Sequence, residues 1–215
     1  MTDGWAPGRA GDTYMNYFDS FTSQHLNHFA DAETFAADAQ NGELAQVVLI
    51  ESGYENGKDE HPLNSIQVGA AYAESFFTIL RNSPSWKDSV FFITFDEGGG
   101  FYDHVPPMKT VNPDGIPPLD LREGDPPGDF TITGFRVPLV VLSPFAKPHF
   151  VSHTSMDFTA MLKFIETRFS LPSLNKRDAF QSDMTEFFDW TAPNLNAGPA
   201  PQQPTDGPCY FHKLP

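Results

Sequence analysis

The run from Phe91 to Val105, FFITFDEGGGFYDHV, limits the fold of this chain more than any other stretch. Phe91, Phe92, Ile93 and Phe95 form an apolar segment of strand length without strict polar alternation, which predicts a strand covered on both faces, as in a parallel sheet. The segment ends abruptly in two carboxylates, three glycines and an Asp-His pair. Ligands in open α/β sheets gather just beyond strand ends of this kind. Asp96 and Glu97 stand where the chain leaves the sheet, so they are expected to be partly desolvated and pressed together, which is costly unless a cation or proton neutralises them. A hard metal ion meets that need. Gly98, Gly99 and Gly100 permit positive φ and close approach of a ligand. Tyr102, Asp103 and His104 then return a phenol, a carboxylate and an imidazole to the same neighbourhood. The competing reading is a tight glycine turn whose acids are merely solvated.

Around this strand the chain alternates between helical and extended patterns. Glu33 to Asn41 reads as a short helix stopped by Gly42, and Val47 to Ile50 as a strand with Glu51 at its end. Asn64 to Arg81 reads as a long helix carrying Ile66, Ala70, Ala73, Phe77 and Leu80 on one stripe. Val137 to Leu142 is a second buried strand, ending in Ser143-Pro144. Phe158, Met161, Leu162, Ile165 and Phe169 recur at helical spacing, so the helix that bears them packs on the sheet. Ser65 and Ser155 open the two longer helices, where a hydroxyl caps free amides. Tyr14, Phe18, Phe21, Leu26 and Phe29 form an aromatic, partly helical segment. The proline-rich excursion from Val105 to Gly134 has no periodicity and is either a functional lid or a passive surface loop. Beyond Trp190 follows a tail rich in Pro, Ala and Asn, wrapped on the surface or mobile. This order predicts an α/β sandwich with a mainly parallel sheet.

Composition excludes some functions. With 28 acids against 13 bases the formal charge is −15, which repels nucleic acid phosphates and anionic membrane surfaces, so no nucleic acid partner is expected. Cys209 is alone and forms no intrachain disulfide. No apolar run approaches the ~20 residues that cross a bilayer, and Met1 to Gly11 lacks the apolar core of a signal peptide. Hydrophobic residues at 40%, including 21 Phe, suffice for one sizeable core in 215 residues.

Four further stretches accompany the Asp96-Glu97 run. They are Asp59-Glu60-His61-Pro62, Ser83-Pro84-Ser85-Trp86, Arg136-Val137-Pro138 leading into Ser143-Pro144-Phe145-Ala146-Lys147, and His153 to Phe169 with its Phe164-Ile165-Glu166-Thr167-Arg168-Phe169 ending. In this order they resemble the phosphoesterase family of phospholipases C and related acid phosphatases, a branch of the alkaline-phosphatase-like superfamily. The resemblance covers roughly Tyr14 to Trp190. It implies an alkaline-phosphatase-like sandwich and metal-assisted hydrolysis of a phosphoester or phospholipid. It also implies a divalent ion on Asp96 and Glu97, and a His61 that faces the phosphoryl group. In that family a Ser or Thr nucleophile, a Glu-Asn metal-binding pair and further histidines lie upstream, and nothing before Tyr14 resembles them. Residues 1–190 are therefore expected to be the C-terminal part of one such domain, its sheet incomplete on the N-terminal side, with residues 191–215 as a tail. The missing half is then a partner, and intact relatives are often exported. Glu97 follows the aspartate where many superfamily members carry histidine, which favours calcium or magnesium over zinc.

The residues alone leave the histidines open. His61, in a charged break before a helix, reads as an ordinary surface side chain. Near a phosphate, an imidazole with a pKa of ~6.5 can hold an oxygen or give its proton to a leaving alkoxide. His104 either contacts metal or substrate or braces the glycine loop through Asp103. His153 and Asp157 suit a helix terminus, and His25 and His28 are packed or exposed. Arg136, the one base next to a core strand, could pair with a site carboxylate. The alternative function is a non-catalytic partial phosphoesterase domain retained for binding or assembly.

Overall fold

The computed structural model describes residues 23–52, 57–62, 64–118, 121–126 and 128–196. The expected aromatic segment before residue 23 and the tail after residue 196 lie outside them. The chain divides into two compact units, one within Met1–Phe91 and Asn194–Pro215, the other Phe92–Pro193.

In the first unit, α1 (Ala32–Asn41) begins at Asp31, whose side chain accepts the Thr34 N–H at 2.8 Å, and ends at Gly42 with φ 72°. Both ends follow from local residue choice, a short acid that satisfies an orphan amide and a glycine that takes the left-handed turn. α2 (Ile66–Arg81) buries Gly69, Phe76 and Leu80. This stripe is rotated about one residue from the one the sequence suggests, leaving Ile66 exposed, because Phe76 meets Phe35 of α1 at 5.2 Å between ring centroids. Ser65 occupies the N-cap, but its hydroxyl donates to the Gln67 side chain rather than accepting from a backbone amide. A 3-10 turn over Pro84–Asp88 buries Trp86 edge-on against Phe77. Each such aromatic contributes about 1.5–3 kcal/mol through the surface it withdraws from water.

Val47 to Ile50 is not a strand. Val47 and Leu49 are 53% and 68% exposed, for an apolar run becomes a strand only where another strand satisfies its amides and carbonyls, and none among the described residues does so. Glu51 is half-buried, and its carbonyl accepts the Tyr72 hydroxyl at 3.2 Å.

The second unit is built on a two-stranded sheet of β1 (Phe91–Thr94) and β2 (Leu139–Leu142). All four β1 residues are half-buried. The Thr94 hydroxyl donates to the Pro138 carbonyl at 3.0 Å. The described residues thus show mixed helix and strand, with a far smaller sheet than the sandwich the sequence predicts. α3 (Thr159–Phe169) and α4 (Lys176–Phe180) complete the unit. Its core runs through Phe92, Phe164, Phe188 and Trp190, whose rings meet in series at 5.5, 5.4 and 4.7 Å, with Met184 and Pro144 fully enclosed.

α3 starts later than its apolar stripe suggests. Asp157, not Ser155, accepts the N–H and hydroxyl of Thr159, at 2.8 and 2.6 Å. His153 and Ser155 precede the helix as exposed coil. The excursion between Val105 and Gly134 is neither free nor periodic. Lys109 and Ile132 form an isolated antiparallel bridge, flanked by Thr110 N–H to Thr131 O and Thr133 N–H to Met108 O, both 2.8 Å. Arg177 of α4 then clasps both legs, its Nη1 donating to the carbonyls of Val111 (3.1 Å) and Phe130 (2.6 Å) while Nε donates to Asp157 (2.5 Å).

Candidate functional site

The predicted site residues fall into two groups, His61 in the first unit and Asp96, Glu97 and His104 in the second. His61 is held by its own loop. The Asp59 carboxylate, 8% exposed, takes His61 Nδ1 on Oδ2 at 3.0 Å and Asn64 Nδ2 on Oδ1 at 2.7 Å. Asn64 N–H closes the loop on the His61 carbonyl at 2.8 Å. Burial opposes ionisation of Asp59, but the hydrogen bonds with His61 and Asn64 outweigh it and hold its carboxyl below the ordinary value. Glu60, between them, takes a left-handed φ of 59°. Its side chain lies on α2 at Gly69, where a Cβ would stand 2.1 Å from Glu60 Cγ. Burial there raises the Glu60 carboxyl above its usual value.

Asp96 and Glu97 leave the end of β1 as expected, but both are exposed rather than desolvated. Asp96 Oδ1 accepts the Glu97 N–H at 2.9 Å, so the turn is stabilised by one of the acids themselves. Gly99 and Gly100 have φ of 61° and 78°, the conformations for which glycine is suited. Phe101 and Tyr102 follow, Tyr102 being 90% exposed.

The carboxylate this loop does pair is Asp103. Arg136 grips it with Nε and Nη2, each at 2.8 Å, and the Val105 N–H adds a third bond at 3.1 Å. Arg136 is thus the partner of a loop carboxylate 33 residues away, a pairing its position beside β2 hinted at without naming the acid. His104 lies with Nδ1 3.6 Å from Asp103 and its side chain 82% exposed, so Arg136 rather than His104 braces the loop.

The Arg136 guanidinium, followed by the Val105 N–H, holds the Asp103 carboxyl far below its ordinary 3.8. A carboxyl depressed on folding adds stability that is complete above the unfolded value and disappears as pH falls through the folded one. The deficit of Arg136→Met relative to wild type is therefore expected to be constant above about pH 5 and to shrink as pH drops below 3.8. Urea unfolding midpoints between pH 7 and pH 3 read this directly, and a pH-independent deficit would contradict the pairing.

Asp96 and Glu97 are hard oxygen donors of the kind calcium and magnesium take, yet such ions need roughly six oxygens. Among the described residues no three His, Cys, Asp or Glu side chains converge to hold a metal. The pair fits a divalent cation in kind and falls short in number. Among the same residues, no helix is long and apolar enough to cross a membrane.

Comparison with known proteins identifies the family of the chain. Residues 9–172 match the model of the phosphoesterase family, and the chain belongs to that family. It is 35% identical to Phospholipase C B of Mycobacterium tuberculosis over 184 residues, 79% of this chain and 33% of the relative. Non-specific phospholipase C5 of Arabidopsis thaliana is 34% identical over 166 residues, 68% of this chain and 31% of the relative. Non-specific phospholipase C1 of the same plant is 33% identical over 184 residues, 77% and 34% of the respective chains. The chain thus spans about a third of the length of these relatives.

Proposed function

We propose that this chain carries part of the site of a metal-assisted phosphoester hydrolase of the phospholipase C or acid phosphatase type, acting on a phosphoester or phospholipid. The observation that carries the reading is the family match over residues 9–172, which takes in both the His61 loop and the Asp96-Glu97 turn. Asp96 and Glu97 would hold a divalent ion, calcium or magnesium in preference to zinc by the hardness of their oxygens, with its other ligands supplied from outside the described residues. Such an ion, when bound, neutralises charge on phosphoryl oxygens. His61 hands a proton to the departing oxygen, and His104, beside the Asp103–Arg136 fork, faces substrate. The whole domain is an alkaline-phosphatase-like sandwich whose further parallel strands extend the β1–β2 sheet.

The exposure of Asp96 and Glu97 favours a second reading, a partial domain that keeps the fold for binding or assembly. Titration calorimetry with calcium, magnesium and zinc, together with hydrolysis of p-nitrophenylphosphorylcholine, separates the two. Under the hydrolase reading, Asp96→Ala weakens metal binding at least tenfold and both Asp96→Ala and His61→Ala slow hydrolysis by about a hundredfold or more. Metal binding without hydrolysis in the wild-type chain supports the partial domain. Unchanged metal affinity in Asp96→Ala refutes the assignment of the ion.

A further inference from the structure

We propose that Asp59 is a positioning residue for His61, fixing the ring so that Nδ1 keeps its proton and the proton exchanged with substrate is the one on Nε2. The inference rests on the hydrolase reading for its catalytic consequence, while its geometry stands alone. The Asp59 carboxylate is more than nine-tenths enclosed, and each of its oxygens has a named partner, His61 Nδ1 on one and Asn64 Nδ2 on the other. A carboxylate only accepts hydrogen bonds, so the ring nitrogen 3.0 Å away must be the donor. A histidine's tautomer is set by the bond that its other nitrogen makes.

The surroundings make that bond hard to lose. Asn64 restrains the carboxylate from the far side, its N–H ties down the His61 carbonyl, and the left-handed Glu60 anchors the segment on Gly69. The single residue, Glu60, between Asp59 and His61 leaves little slack. His61 is half-exposed while its anchor is enclosed, as suits a ring that must meet substrate without turning. Phosphoester cleavage breaks the bond between phosphorus and the leaving oxygen, and that oxygen takes up one proton. With Nδ1 committed to Asp59, an imidazolium at position 61 can supply it only from Nε2 and becomes the neutral Nδ1–H form. Without Asp59 the bond that sets the tautomer is lost, and the Nε2–H form of the neutral ring becomes accessible.

The test is a long-range proton–nitrogen correlation spectrum of the chain above the titration range of histidine, with the His61 signals assigned by their loss in His61→Gln. Wild type is expected to show the Nδ1–H tautomer at position 61, and Asp59→Asn to show a mixture or the Nε2–H form. Asn64→Ala, which breaks the other bond of Asp59, is expected to leave the tautomer as in wild type. An Nε2–H tautomer in wild type, an unchanged spectrum in Asp59→Asn, or an equal change in Asn64→Ala would overturn the proposal in favour of a purely structural brace. In a form of the protein that hydrolyses p-nitrophenylphosphorylcholine, Asp59→Asn is expected to lower kcat about ten- to a hundredfold with KM within about twofold. A shifted tautomer with unchanged kcat would leave the hold of Asp59 on the ring standing and overturn the role of His61 in hydrolysis.

Discussion

Replacing Arg177 with alanine is expected to destabilise the second unit by about 3 kcal/mol, because it leaves the carboxylate of Asp157 enclosed without its cation. Arg177 and Asp157 are 16% and 13% exposed, so solvent screening does little to weaken the pair. The same change strips two carbonyls of their donor, those of Val111 and Phe130, and so opens the excursion where its two legs meet. For a chain of this size the loss corresponds to a fall in unfolding midpoint of about 6–12 °C. Arg177→Lys keeps the charge but cannot reach a carboxylate and two carbonyls from one fork, so it is expected to recover only part of the loss. Calorimetry measures the shift, and limited proteolysis reports whether cleavage appears between residues 111 and 130. A fall of less than about 1 °C would show that water replaces the guanidinium at little cost.

The second large effect is expected at Gly69, where alanine should act against its usual tendency. In an exposed helix interior alanine is favoured over glycine by about 1 kcal/mol. Here its methyl group would stand 2.1 Å from Glu60 Cγ and 2.4 Å from Oε1, close to the root of a side chain whose backbone already has a left-handed φ. Gly69→Ala is therefore expected to destabilise by about 1–3 kcal/mol, the usual range for forced overpacking. In a Glu60→Gly background the clash is gone and the left-handed conformation carries no penalty, so the same substitution should become stabilising. This reversal of sign in a double-mutant cycle is a stricter test than either single change. A stabilising Gly69→Ala in the wild-type background would show that Glu60 swings into solvent freely.

What could be read in the sequence was what short stretches determine by themselves. The end of α1 at Gly42, the extent of α2 and the positive φ of Gly99 and Gly100 all follow from one or a few adjacent residues. Val47 to Ile50 failed as a strand because pairing depends on a neighbour that no local pattern specifies. The start of α3 was misplaced for a different reason, that Ser155 and Asp157 are both good caps and the choice fell to Asp157, which also meets Arg177 and Gln181. At the site, the burial of Asp96 and Glu97 was inferred from their place after a buried strand, and exposure was found instead. The Asp103–Arg136 fork joins positions 33 residues apart, and Arg177 reaches partners 20 to 66 residues away. Side-chain bonds over such distances leave no periodic trace. The Asp59–His61 pair was missed as well, although an acid two residues before a histidine within a polar break is a local signal that could have pointed to it.

The grip of Arg177 on the excursion has a consequence for how related chains could diverge. Its two contacts there are to main-chain oxygens, which every amino acid presents alike. Position 111 can thus exchange its side chain without loosening the fastening, and position 130, at φ 58°, would accept glycine or asparagine even more readily than phenylalanine. The loop's chemical face is free to drift while its shape is inherited, a separation of form from identity that would let new preferences arise without new architecture.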